Sequence, residues 1–269
     1  MGFNEGDVLR KVVVCPPEIE YFAVDDLDSH NIAALPDHKK AVSQHRGLRK
    51  AMERSGAEVA IVKELPFHPN SVFTRDTSVC THEGYIELRM GLPTRRGEEV
   101  WMARILESMG MPSVGEIDPP GTVEGGDVIL AGDVAFVGVS SRTNESGARQ
   151  MREILEKLGY EVRIADVQDE HLHIGGSMSM LDTETVLHCK GKFPAGFFDG
   201  FRTISIECSD FIGANVIALG ERRLIANAEN RQVIDLLTDS GFEVQALDLQ
   251  EFVKGNGGPT CLILPVLRG

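Results

Sequence analysis

The chain has 269 residues, of which 27 are Lys or Arg and 41 are Asp or Glu, giving a net charge of −14. An apolar share of 42% can build a core and excludes a disordered chain, while the acidic balance argues against nucleic-acid binding, which needs a basic stripe, and suits a small cationic partner. No apolar run approaches the roughly 20 residues that cross a bilayer, and the start MGFNEGDVLR has no secretory pattern, so no membrane partner and a cytoplasmic home are expected.

In chain order, residues 25–40 (DDLDSHNIAALPDHKK) are polar with one Pro and form the best candidate for a mobile loop over a site. KAMERSGAEVAIV then reads as an amphipathic helix, a Gly and a strand, and the same unit returns as RILESMGMPSVGEI, EILEKLGYEVRIADV and DLLTDSGFEVQALDL. FFDGFRTISIE is a weaker copy whose helix is short or broken. The terminating glycines, Gly56, Gly110, Gly159, Gly200 and Gly241, are spaced by 54, 49, 41 and 41 residues. Gly after a helix is the usual left-handed terminator. Between these units lie polar or Gly-rich turns that each lead into another strand: FTRDTSVC, VEGGDVIL, HIGGSMSML, FIGANVIAL and GGPTCLIL. Recurring supersecondary units mean a solenoid or a radial array. Five of them suggest closure around an axis, with the turns converging at one end. Helix–Gly–strand units are common in α/β proteins, but that alone does not place the scarce chemical residues in the turns. With no linker or composition break, residues 1–269 read as one domain.

The first turn region carries Asn70, Phe73, Arg75 and Asp76, and the second Glu124 and Asp127 around two glycines. The third carries His171 and His173, the fourth Asp210 and Asn215, and the fifth ends at Cys261. Brought together, a thiol, an imidazole and several carboxylates would form a nucleophile, an acid/base and an anionic cradle for a cation. The five cysteines are odd in number and scattered, so neither a disulfide framework nor zinc spacing is read from them. Cys15, Cys80, Cys189 and Cys208 sit in or beside apolar runs and read as small buried hydrophobes. Cys261 differs because Gly-Gly-Pro-Thr precedes it. Spacing alone does not choose between His171 and His173, whose side chains would point the same way on a strand. Arg95 and Arg142 are candidates to grip a carboxylate with paired hydrogen bonds.

With these residues the chain resembles the guanidine-modifying superfamily of arginine deiminases, dimethylarginine dimethylaminohydrolases and amidinotransferases. FTRD, MGLPTRRGEE, VEGGD, VGVSSRTN, LHIGGSMSM and GGPTCLIL occur in family order and cover nearly the whole chain. The resemblance implies an α/β fold, a five-bladed pseudo-symmetric propeller of ββαβ-type units. It implies Cys261 as nucleophile, His173 as general acid/base and Glu124 as the carboxylate that orients the imidazole. Asp76, Asn70, Phe73 and Arg75 fall at substrate-binding positions, and Arg95 and Arg142 at those that bind the substrate α-carboxylate. Length favours the dimethylaminohydrolases. Those enzymes, however, usually carry acids where this chain has Asn70 and Arg75, and FTRD is closer to the deiminase form.

The expected function is hydrolysis of N-methylated arginine to citrulline and an alkylamine through a covalent thiouronium intermediate. Arginine deiminase and arginine dihydrolase activities are the nearest alternatives. An amidinotransferase or a non-catalytic small-molecule binding protein are more distant ones. No metal or organic cofactor is required by this chemistry, the partner is a small guanidino compound, and a homo-oligomer is compatible with the sequence.

Overall fold

The computed structural model describes residues 2–167, 172–208 and 213–269, so His171 and Asp210 lie outside the described residues. The chain opens with β1 (Leu9–Val14), α1 (His38–Arg54) and β2 (Glu58–Ile61). The Asp37 side chain caps α1 by accepting from the Lys40 N–H at 2.9 Å. Ala41, Leu48, Ala51 and Met52 bury one face of that helix, so residues 38–40 belong to it rather than to the polar loop. There follow β3 (Ser78–Cys80), β4 (Tyr85–Glu87), α2 (Glu98–Ser108) and β5 (Ser113–Glu116). The pattern repeats as β6 (Val128–Ala131), β7 (Val134–Val139), α3 (Glu145–Lys157) and β8 (Glu161–Asp166). Next come α4 (Ile174–Ser177), β9 (Met178–Met180), β10 (Thr185–Cys189) and β11 (Arg202–Ile206). Further along the chain come β12 (Ile217–Gly220), β13 (Arg223–Asn227), α5 (Arg231–Asp239), β14 (Glu243–Leu247) and β15 (Leu264–Arg268).

These strands form five three-stranded sheets. In each, the first strand runs antiparallel to the second and the second parallel to the third. A parallel pair needs a crossover, and a helix supplies it in four of the five. The exception is β10–β11, where turns replace the helix, in line with the weakness of FFDGFRTISIE. All five terminating glycines have positive φ, from 84° at Gly110 and Gly241 to 97° at Gly56. One sheet joins the chain ends, since β15 pairs with β1 (Val13 opposite Leu264) and β1 with β2.

The sheets abut in sequence. β15 packs on β3, β6 on β9, β9 on β12 and β12 on β1. The sheets of β3 and β6 share one apolar cluster, in which Val79, Ile86, Val128 and Leu130 meet Ala148, Met151 and Leu155 of α3. The result is a mixed α/β fold with five repeated small sheets.

Two cysteine assignments need correction. Cys189 and Cys208 are joined in a disulfide with their Cα atoms 5.4 Å apart. Pairing of β10 with β11 sets Cys189 opposite Ile206 and brings Cys208 within reach, a proximity that a separation of 19 residues does not announce. Cys15 and Cys80 are free and buried, as expected. Among the described residues no helix is long and apolar enough to cross a membrane.

Candidate active site

A short helical turn immediately precedes the first strand of four sheets. Thr74–Thr77 leads into β3, Gly125–Asp127 into β6, α4 into β9 and Pro259–Leu262 towards β15. Asp76 lies in the first of these, Glu124 and His173 stand just before the second and third, and Cys261 lies in the fourth. In the remaining sheet Asn215 stands two residues before β12. His173 and Cys261 line one hollow together with Gly126, Asn215 and Gly258. Cys261 is half-buried, whereas His173, Asp76 and Glu124 are buried.

The His173 Nε2 is 2.8 Å from Glu124 Oε2, and Nδ1 faces Asp76 Oδ1 at 3.8 Å. Burial works against an imidazolium, but Asp76, Asp127 and the Glu124 hydrogen bond outweigh it and raise His173 to about 9. Burial also disfavours a charged Glu124. The His173 hydrogen bond, Arg95 and Arg142 prevail and hold its carboxyl well below the usual range. The second oxygen of Glu124 accepts from the N–H groups of Gly91 and Leu92 at 3.2 and 3.1 Å. Gly126 separates the acid from the imidazole: a Cβ there would lie 2.7 Å from His173 Nδ1 and 2.8 Å from Asp76 Oδ1. For Cys261, burial and then the Asp76 charge push the thiol up to about 11, against the pull of the Gly258 backbone, Arg75 and Arg95.

Asp76 divides its two oxygens. Oδ2 accepts from Arg95 Nη1 at 2.6 Å, while Oδ1 is buried with no hydrogen-bond partner among the described residues. Asn70 is buried as well; its Nδ2 donates to the His30 carbonyl at 2.8 Å and its Oδ1 is likewise unpartnered. Phe73 packs edge-on to Tyr21 at 5.7 Å and lies against Gly255 and Gly257, where any Cβ would strike its ring. It therefore forms the floor beneath the Cys261 loop.

Two arginines sit differently from expectation. Arg95 is enclosed, with Nε and Nη2 on Glu98 Oε2 at 2.9 and 2.7 Å, Nη1 on Asp76, and Nη2 also on the Phe73 carbonyl. Its donors are committed to holding Asp76 and Glu98. Arg75 turns to Glu5, 2.6 Å away, and to the carbonyls of Gly125 and Val128, so it clamps the N-terminal segment and the second turn. Arg142 is looser. Its Nη1 lies 3.4 Å from both Glu124 oxygens, and Nε and Nη2 have no hydrogen bond among the described residues.

Asn215, named above only as a residue of the fourth turn, has a definite place in the site. Its Nδ2 donates to the Gly175 carbonyl at 3.1 Å and its Oδ1 accepts from the Thr260 N–H at 2.9 Å, so it joins the His173 turn to the Cys261 turn. Its position in the fourth of five equivalent turns is the signal that could have marked it. The polar loop lies on the same face: the carbonyls of Ser29, His30 and Asn31 accept from Thr94, Asn70 and Asn256. Asp76, Glu124 and His173 have potential ligand atoms within 4.8 Å of one another. Most of those atoms are already held by Arg95, Arg142 or each other, which leaves poor ligation for a divalent cation.

A family model described as arginine deiminase matches residues 18–193. A dimethylarginine dimethylaminohydrolase of Streptomyces coelicolor is 33% identical over 227 residues, covering 84% of this chain and 86% of that protein. Its counterpart in Pseudomonas aeruginosa is 31% identical over 241 residues, covering 90% of this chain and 94% of that protein. Among solved structures, a mutant of the Pseudomonas aeruginosa enzyme complexed with citrulline matches with a TM-score of 0.85 at 27% identity, over 96% of this chain and 99% of that one.

Proposed function

The chain belongs to the arginine deiminase superfamily of guanidine-modifying enzymes, and from that membership we propose that it hydrolyses N-methylated arginine to citrulline and an alkylamine. The observation that carries the reading is the open acceptor Asp76 Oδ1, buried beside His173 in the site that Cys261 lines. A planar guanidinium is a donor of the right charge for it. Asn70 Oδ1 is a second open acceptor close by. Arg142, with donors to spare, takes the substrate α-carboxylate, while Arg95 and Arg75 act by fixing the two turns. The same reading takes the five sheets as blades of one closed propeller of ββαβ units, a single domain over residues 1–269.

Before substrate binds, the thiol, raised to about 11, is protonated and the imidazole, raised to about 9, is charged. A guanidinium on Asp76 cancels the carboxylate that raises the thiol and brings positive charge to it, so on substrate binding the thiol gives its proton to solvent and the thiolate forms. Sγ attacks the guanidino carbon. The C–N bond to the alkylamine then breaks as His173 gives it a proton, leaving a thiouronium on Cys261. Neutral His173 next takes a proton from water, whose oxygen adds to the same carbon. The C–S bond breaks as the proton left on the added oxygen passes to solvent, so neutral citrulline leaves, the thiolate returns and His173 keeps the proton it took from water.

Deimination of unmethylated arginine is the second reading. It is favoured by the family model that matches this chain and by Arg75, a cation lining the hollow at a position where the dimethylaminohydrolases usually carry an acid. Product analysis with methylated arginines and arginine separates the two, alkylamine in one case and ammonia in the other. Cys261→Ser abolishes either reaction; retention of wild-type turnover by that variant overturns the mechanism.

A further inference from the structure

One fully buried carboxylate beside the site has no part in the scheme above. Asp127 closes the second turn and is 0% exposed. Its Oδ1 accepts from the Ile174 N–H at 2.9 Å, the peptide that follows His173. Its Oδ2 accepts from the Ser140 hydroxyl at 2.6 Å. Ser140 Oγ in turn accepts from the N–H groups of Arg142 and Thr143 at 3.0 and 3.1 Å. The Thr143 hydroxyl accepts from the Glu124 N–H at 3.2 Å and lies beside Asp127, where it favours the ionised carboxylate. Gly138 leaves room for this arrangement, since a Cβ there would stand 2.6 Å from Asp127 Oδ1.

We propose that Asp127 is a positioning residue that sets the mutual placement of Glu124, His173 and Arg142 through Thr143, Ile174 and Ser140. The assignment of these three to guanidine hydrolysis rests on the function proposed above. Only a carboxylate fits the network. It accepts on both oxygens, whereas an amide would present a donor to Ser140, whose oxygen already accepts twice. Its charge also faces the imidazole, alongside Asp76 and Glu124, with Arg95 and Arg142 as the cations packed around the same groups.

The test compares wild-type protein with Asp127→Asn, Ser140→Ala and Ser140→Thr. NMR titration of the His173 imidazole moves about one pH unit lower in Asp127→Asn, and kcat falls tenfold or more, on the order expected when reacting groups are misplaced. Ser140→Ala raises KM about tenfold with kcat within about twofold, since the peptide that carries Arg142 loses its acceptor, and Ser140→Thr restores KM. An unshifted His173 titration in Asp127→Asn, or an unchanged KM in Ser140→Ala, overturns the proposal, even where thermal stability drops. Wild-type protein inert towards every guanidine overturns the functional reading instead, and the titration still decides the role of Asp127.

Discussion

Arg95 shows how a cation suited to one task in sequence is put to another by packing. Its neighbours Asp76 and Glu98 are buried with it, so the guanidinium offsets part of the cost of taking both carboxyl groups out of water, while burial still raises Glu98 to about 7. Arg95→Met leaves both acids unpaired and lowers stability by about 3–5 kcal/mol in urea unfolding, the usual cost of breaking a buried pair. His173 gives a pH signature. Its folded value, about 9, lies above its ordinary 6.5, so it contributes stability fully below about 6.5 and loses that contribution as pH rises through about 9. Glu124 is depressed, so its contribution holds above the ordinary carboxylate range and is lost as pH falls. Melting temperatures of His173→Gln against wild type therefore differ most below about pH 6.5 and converge by pH 9 to 10. A difference that does not change across that window would mean that His173 is not held charged. The individual acids and the thiol were legible from their turns. The partners of Arg95 and Arg75 were not, because Glu5 lies 70 residues from Arg75 and no local pattern joins them.

At the scale of elements, the sheet of β9, β10 and β11 solves the crossover problem without a helix. Four phenylalanines, at 193, 197, 198 and 201, fill the place a helix face would take, and three of them meet Phe136 at 5.1 to 5.6 Å between ring centroids. The Cys189–Cys208 bond closes the loop that contains them. The FFDGF stretch in the sequence shows the missing helix, because aromatic crowding and Gly200 oppose it. It gives no hint of the covalent closure. A bridge over 19 residues restricts the unfolded chain by about 3 kcal/mol. Cys189→Ser with Cys208→Ser thus lowers the unfolding midpoint by that order while guanidine hydrolysis survives at low temperature. Unchanged stability would show that the phenylalanine cluster alone sustains this crossover.

For the whole molecule, the repeat was readable because each unit is local, a helix, a glycine and a strand. The sheet built from both ends was not, because β15 and β1 stand at opposite ends of the sequence. That sheet ties the chain together: the Val8 carbonyl accepts from the Gly269 N–H at 3.0 Å, and Arg268 donates to Asp7 and Ala218 across to the neighbouring sheet. It also holds Cys261, the nucleophile of the proposed mechanism, which stands just before β15. In the closed propeller proposed above, pairing does not depend on where the chain is cut, provided every strand is present. A circular permutant with a Gly-Ser linker joining residue 269 to residue 2, and new ends in the exposed turn at Lys190–Gly191, should therefore fold and keep its activity. The linker must span up to about 20 Å, because residues 2–7 run first to the sheet of β6 before entering β1. Deleting residues 264–269 instead removes one strand of the closing sheet, exposes Val13, and leaves the Cys261 turn without an anchor. Circular dichroism and turnover distinguish the cases. A folded, active truncation would mean that the molecule does not depend on joining its ends, and an unfolded permutant would mean that chain order, rather than the proposed ring of sheets, specifies the structure.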